Sequence, residues 1–188
     1  MTHLFTRPVS VLVCAAAVCA VLSSSVFAQA PAKPKPAAQS VVDAALKAAK
    51  ASNKGVFVHF SASWCTWCHK LQAFLESPVG KATFGQSFVS EELIVQEIGD
   101  KKALEHPGGL ALLTKWSGDA GTPLPYYVFL DAAGKKVADS NAMPDKSSVG
   151  YPSTPDSMKA FDALLVRVAP KMSADTRARI LDYMSTHK

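Results

Sequence analysis

The sequence predicts an α/β domain: a central mixed sheet flanked by helices, with an extra helix at the C-terminal end. Three observations predict it. Between residues 41 and 169, stretches with apolar residues at helical spacing alternate with short, continuous apolar runs. Asp131-Ala132-Ala133-Gly134 is turn chemistry joining two of those runs as a hairpin, so the sheet combines parallel and antiparallel pairs. Beyond Pro170, a further helical pattern lies outside the alternating core.

Each element has its own signal. Val41, Val42, Ala45, Leu46 and Ala49 recur at helical spacing, and Asn53-Lys54-Gly55 stops that helix before an apolar strand, Val56 to Phe60. Ser61 to Ser63 turn the chain into a second helix, from about Cys65 to Glu76, which Ser77-Pro78 ends. After a Gly-containing stretch, Phe88 to Ile98 holds a strand, placed near Leu93 to Ile98 because Glu91 and Glu92 interrupt the apolar pattern. Pro107 to Trp116 reads as a short helix with Gly108 and Gly109 in its opening turn. Tyr126 to Leu130 and Lys135 to Ser140 form the hairpin. Asn141 to Ser153 is a polar loop with two prolines. Thr154 then caps a helix that starts on Pro155 and runs to about Ala169. Ser173 caps the last helix, through Tyr183, with Ile180, Leu181 and Met184 on its apolar face. No internal repeat is visible.

The N-terminal segment has a different character. His3 and Arg7 give a weakly basic start, and Val9 to Leu22 is an almost uncharged apolar run. Val26-Phe27-Ala28 then fits the small-x-small pattern of a signal-peptidase site, with Ala28-Gln29-Ala30 as an alternative. Residues 1–28 are accordingly expected to be a signal peptide, cleaved after Ala28. The competing reading is an uncleaved anchor, for which the apolar run falls short of the roughly 20 residues that span a bilayer. Residues 29–40, QAPAKPKPAAQS, are expected to be a Pro- and Ala-rich linker, and residues 41–188 the folded domain.

Cleavage changes the cysteine arithmetic. Cys14 and Cys19 would leave with the signal, so the four cysteines become Cys65 and Cys68 alone, spaced as C-x-x-C. The net charge of +5 falls to +4, with 19 basic and 15 acidic side chains remaining. Those charges are scattered rather than clustered with aromatic residues, which argues against nucleic acid as a partner. Stable membrane insertion is not expected after cleavage.

An apolar strand that delivers a cysteine to a helix start has a chemical consequence. The helix N-terminus aims unsatisfied amides and a partial positive charge at the first sulfur, favouring thiolate over thiol. Cysteines in such settings have pKa values of roughly 3.5–7.5, against about 8.5 when free. Cys65 is the expected attacking thiol. Cys68, almost one helical turn on, is placed to resolve a mixed disulfide. A purely structural disulfide is the alternative, although a loop this short contributes only about 2 kcal/mol in the chain-entropy picture.

The stretch Phe57-Val58-His59-Phe60-Ser61-Ala62-Ser63-Trp64-Cys65-Thr66-Trp67-Cys68-His69-Lys70-Leu71 resembles the active-site strand, turn and helix of the thioredoxin superfamily. Gly121 to Lys135, GTPLPYYVFLDAAGK, resembles the same superfamily's cis-proline loop, strand and hairpin turn. The resemblance covers roughly Val41 to Ala169. It is strongest to exported bacterial thioredoxin-like proteins with a W-C-x-W-C-H-K type motif. It implies a thioredoxin-like fold and thiol–disulfide exchange with protein or small-molecule thiols and disulfides, an upstream redox partner, a periplasmic or secreted location, and no dissociable cofactor. It also implies that Pro125 is the cis-proline facing the dithiol, with Pro123 as runner-up. By the same resemblance, the Leu124 backbone pairs with an extended substrate.

One departure stands out. Where familiar thioredoxins carry a buried acid, six residues before the first cysteine, this sequence has His59. An imidazole near Cys68 could take up and return its proton; equally, His59 could be a core histidine satisfied by a backbone partner. Trp64 and Trp67 are candidate apolar contacts for substrate, Trp67 the better one. His69 is expected on the exposed side of the helix.

Three rival functions share these residues. Cys65 to His69 also spells C-x-x-C-H, the c-type haem attachment pattern, although a mixed α/β pattern and the Pro125 stretch have no role in such a protein. Two thiolates with His69 or His59 could hold Cu(I) or Zn, but no second cysteine pair completes a metal site. A thioredoxin-fold interaction module without turnover is the third.

Overall fold

A computed structural model describes residues 1–2 and 34–188 of the chain. Residues 3–28 of the expected signal peptide, and its cleavage site, lie outside the described residues. From residue 34 onward the chain lies within one compact unit.

The first helix, α1, spans Ala38–Ser52, so it begins three residues before the expected boundary at Val41. Ala38 explains the shift. It is fully buried, and its amide donates to Pro107 O (2.8 Å), so the end of the expected linker is folded onto the domain. Asn53, in the left-handed region (φ 55°), turns the chain out of α1.

Strand β1 (Gly55–Ser61) occupies the centre of a four-stranded sheet ordered β2-β1-β3-β4, with β2 Phe88–Ile94, β3 Tyr126–Leu130 and β4 Lys136–Asp139. It pairs parallel with β2, Gly55 against Phe88 through Ser61 against Ile94. Its pairing with β3 is antiparallel, with His59 opposite Tyr127. The sheet is therefore mixed, as the alternation and hairpin predict.

Strand β2 lies earlier than the expected Leu93 to Ile98. Glu91 and Glu92 sit within it because β2 is an edge strand whose side chains there are only half-buried, so acids do not interrupt it. Val95 to Ile98 instead leave the sheet, and Gln96 adopts a left-handed conformation (φ 54°).

Successive side chains of β1 point to opposite faces, and both faces are covered. Val56, Val58 and Phe60 join Ala45, Ala49 and Val128 in one core beneath α1 and α5 (Gly109–Ser117). On the other face, Phe57 joins Leu71, Phe74, Phe84, Phe129 and Phe161. These come from α2 (Thr66–Glu76), α4 (Phe84–Ser87), β3 and α6 (Pro155–Val168). Phe84 packs on Phe57, Phe74 and Phe88 with ring centroids 4.9, 6.0 and 4.8 Å away. Truncating such a side chain to alanine costs roughly 3–5 kcal/mol.

Several short elements escape periodicity. The Gly-containing stretch folds as α3 (Pro78–Ala82) and α4, each too short to show a helical repeat, and a 3-10 helix covers Gly99–Leu104. Gly80 in α3 comes so near Phe74 O that a Cβ has no room.

The C-terminal helices begin where their caps predict. Thr154 and Ser157 form a reciprocal capping box on α6, with Pro155 at the first position. Ser173 caps α7 (Ala174–Thr186). Ile180 and Met184 of α7 are fully buried in the same core as Phe57, and Arg177 ties α7 to Asp162 of α6 at 2.7 Å. The extra helix is thus an integral wall of the domain.

Candidate functional site

Cys65 occupies the N-cap of α2, where its backbone is still extended and its sulfur takes the place of a capping oxygen. Cys68 N–H donates to Cys65 Sγ at 3.2 Å. The two sulfurs are joined as a disulfide, 2.01 Å apart, with Cα atoms 5.3 Å apart. Cys65 is 4% exposed and Cys68 fully buried. Ala62 forms a small apolar cluster with both, and Leu124 packs against it. Cys68 Sγ lies 4.0 Å from Phe60 O.

The Leu124–Pro125 bond is cis, and no other cis bond occurs among the described residues. Pro125 therefore holds the cis-proline position, and Pro123 does not. Leu124 and Pro125 line a cavity of about 260 Å³ together with Trp67 and Ser148 to Tyr151. Trp67 is 44% exposed and stacks on Tyr151, with centroids 5.8 Å apart and planes at 22°. Lys70 Nζ lies 5.7 Å from the Trp67 ring centroid.

Trp64 is also half-exposed but sits elsewhere, with its Nε1–H donating to Gln96 O at 2.9 Å. The Gln96 side chain donates to Ala120 O (2.8 Å) and Thr122 O (3.1 Å), joining the motif's turn to the loop before Pro125. Beside it, the buried Glu97 carboxylate accepts from Ser63 N–H (2.6 Å) and Ser63 Oγ–H (2.8 Å). Gln96, Glu97 and Tyr151 touch the motif at Trp64, Ser63 and Trp67, and no sequence signal points to those contacts. Gln96 and Glu97 lay inside a segment read as strand, and Tyr151 in one read as a polar loop. The polar pair after Ile94-Val95 was the available signal that the strand had ended.

His59 is buried on the face of β1 that looks toward α2. Its ring stacks on Phe57 (centroids 5.8 Å apart), and Nε2 faces Glu92 Oε1 at 3.6 Å. Neither ring nitrogen has a hydrogen-bond partner among the described residues, so no backbone group there satisfies this histidine. No hydrogen bond joins it to Cys68; its cavity is lined instead by Gln72, Glu76, Glu91, Glu92 and His106. The facing imidazole, helped by Ser61, holds the Glu92 carboxyl below the ordinary carboxylate range. Burial pushes the neighbouring Glu91 up, and burial likewise pushes His106 down.

His69, the last member of the C-x-x-C-H pattern, is exposed, while the Cys68 sulfur is sealed where a haem thioether would need room. Among the described residues, no three His, Cys, Asp or Glu side chains gather as a metal-binding group. No helix among them is long and apolar enough to cross a membrane.

No curated protein matches the chain. Among solved structures, a disulphide isomerase from Xylella fastidiosa Temecula1 is 20% identical over 83% of this chain and 95% of its own, with a TM-score of 0.48. A thioredoxin from Thermus thermophilus is 22% identical, covering 56% of this chain and 71% of its own, with a TM-score of 0.39. The oxidised C-terminal domain of Neisseria meningitidis DsbD is 24% identical, covering 56% of this chain and 84% of its own, with a TM-score of 0.38. A thioredoxin-like family model matches residues 37–132, from α1 through the β3 turn, and so takes in both the dithiol and the cis-proline loop. With that match over more than half of its length, the chain belongs to the thioredoxin-like family.

Proposed function

We propose that this protein is an exported thiol–disulfide oxidoreductase in which Cys65 attacks and Cys68 resolves. The observation that carries this reading is the asymmetry of the pair. Cys65 caps α2, receives the Cys68 amide and keeps 4% of its surface exposed, whereas Cys68 is fully enclosed. A donor aimed at a sulfur stabilises its charged form, which is both nucleophile and leaving group in exchange.

In the reducing direction, the Cys65 thiolate attacks a substrate sulfur. The substrate disulfide breaks, its other sulfur leaves as thiolate and takes a proton, and a mixed disulfide forms. Cys68 then loses its proton and attacks Cys65 Sγ. The mixed bond breaks, the substrate leaves as its second thiolate, and the Cys65–Cys68 disulfide holds the two electrons' worth of oxidation. The oxidising direction runs the same steps in reverse. Electrons enter or leave through a partner dithiol or disulfide of the same chemical class.

The role of each neighbour follows from its place. Trp67, Leu124 and Pro125 offer the apolar surface beside Cys65, and the Leu124 backbone pairs with an extended segment of substrate. Trp64 presents a second half-exposed ring. His59 takes up the Cys68 proton during resolution through an intervening water, because no hydrogen bond joins the two side chains, and its Nε2 faces Glu92 at 3.6 Å. Export is supported by the signal-like run in residues 1–28 and by the two cysteines that remain after it.

The test is turnover. A disulfide-reduction assay should show activity that Cys65→Ser abolishes, while Cys68→Ser accumulates mixed disulfides. Absence of both turnover and trapped species would instead favour a thioredoxin-fold interaction module. His59→Ala should displace the pH profile of exchange; an unchanged profile sinks the base role. Export predicts a periplasmic or secreted form that begins at Gln29, readable by mass spectrometry.

A further inference from the structure

The geometry points to the loop of residues 141–153, pinned by the end of α7, as the specificity wall of the groove beside Cys65. That groove selects polypeptides with an apolar side chain next to the reacting cysteine. The inference rests on the thiol–disulfide exchange proposed above and names its substrate class.

Two depressions flank the motif, and they differ in chemistry. On the side of Ser61 to Ser63 and His69, the lining includes the carboxylates of Glu76, Glu92 and Glu97. On the other side, Trp67, Leu124, Pro125, Val149 and Tyr151 enclose about 260 Å³, and the lining contains no charged side chain. A leucine- or phenylalanine-sized side chain would be desolvated there at no cost in buried charge, whereas a carboxylate would meet no charged group in the lining.

The outer half of that groove comes from the loop, and the loop is anchored rather than free. Val149 and Tyr151 are buried in the same core as Ile180 and Met184 of α7. Val149 N–H donates to Ser140 O at 2.7 Å. The Tyr151 hydroxyl lies 3.5 Å from Met184 O and 3.3 Å from His187 O, carbonyls that a helix end leaves without partners. Burial pushes this hydroxyl up to about 12, so it remains a donor at any physiological pH. Lys70 Nζ donates to the same His187 O at 3.4 Å while lying near the Trp67 ring. The last turn of α7 therefore braces both residues that hold Trp67 in place, and Tyr151 acts on substrate by closing the groove and fixing that ring.

The experiment compares the purified protein and its variants on three disulfide substrates. Two are fluorogenic peptides with Leu or Asp beside the cysteine, the third is hydroxyethyl disulfide, a small linear disulfide, and reduced dithiothreitol supplies the electrons in every assay. The wild type should favour the Leu peptide over the Asp peptide by about tenfold in kcat/KM. Tyr151→Ala should bring that ratio close to parity by raising KM for the Leu peptide while its kcat holds. Tyr151→Phe, which keeps the ring, should retain the preference to within about threefold. Ser148→Phe fills the cavity without altering a core side chain and should also raise KM for the Leu peptide. A wild type that does not discriminate between the peptides would overturn the proposal. So would Tyr151→Ala slowing all three substrates in equal proportion, or Ser148→Phe leaving KM unaltered. A wild type inactive on hydroxyethyl disulfide as well would overturn the exchange reading itself, and the groove's role with it.

Discussion

Glu97→Ala should lower the stability of the oxidised protein by about 2 kcal/mol, and the size follows from two contacts. Glu97 is buried, and both its carboxylate oxygens are used, one by Ser63 N–H at 2.6 Å and the other by Ser63 Oγ–H at 2.8 Å. Hydrogen bonds to a charged group contribute about 1.5–3 kcal/mol each. Ser63 is only half-buried, so water recovers part of that after truncation, and removing Glu97 also relieves the cost of holding a charge out of water. Roughly half the gross value should therefore appear as a net loss. Glu97→Gln is the control: its amide oxygen can still accept from Ser63 N–H and its amino group can donate to Ser63 Oγ. It should cost about 1 kcal/mol, since neutral bonds are roughly half as strong as charge-assisted ones. Urea unfolding followed by tryptophan fluorescence measures both. A Glu97→Ala variant within about 0.5 kcal/mol of wild type would refute the reasoning, because ordinary surface changes fall in that range. Equal losses for Ala and Gln would refute the hydrogen-bond account in favour of charge.

Three further predictions concern stability. The Glu92 carboxyl is held below its ordinary value of 4.5, so its stabilising contribution is fully present above that value and is lost as pH falls through the lowered one. Glu92→Gln should therefore be less stable than wild type at neutral pH and converge with it in acid. Burial raises Glu91, which reverses the sign: Glu91→Gln should be more stable than wild type at neutral pH, with the gain vanishing as pH falls. Melting temperatures between about pH 3 and 8 distinguish the two. Gly80→Ala should destabilise by roughly 1–3 kcal/mol, because the added Cβ runs into the Phe74 carbonyl oxygen and the α2–α3 corner must open. An unchanged melting temperature would contradict that close approach.

The parts of the fold legible in the sequence are those whose cause is local. Val56 to Phe60 is buried on both faces and reads as an uninterrupted apolar run; Thr154-Pro155 and Ser173 mark helix starts through caps that need no distant partner. Cys65 at a helix start was legible for the same reason. Position within the sheet is not local. Glu91 and Glu92 look like a break until β2 is known to be an edge, where one side of each residue meets water. The same holds for the site. Glu97 acquires its role from Ser63, and Tyr151 from the end of α7, 33 and 36 residues further on; neither pairing leaves a periodic trace. His59 was visible as a departure, but its proximity to Glu92 arises from strand register, which places those two residues opposite each other.

Gln96 gives the site a mechanical character. Its carbonyl holds Trp64 and its side chain holds the carbonyls of Ala120 and Thr122, so a single residue spans the turn before Cys65 and the loop before Leu124. The gap between them, which the proposed function gives to a substrate backbone, is then set like the jaw of a fixed spanner. One residue ties the two sides, and the left-handed backbone at Gln96 is the rivet. Gln96→Gly would keep that backbone conformation while removing the side-chain ties to one jaw. Residue 96 is therefore where the range of accepted partners could be widened without altering either sulfur.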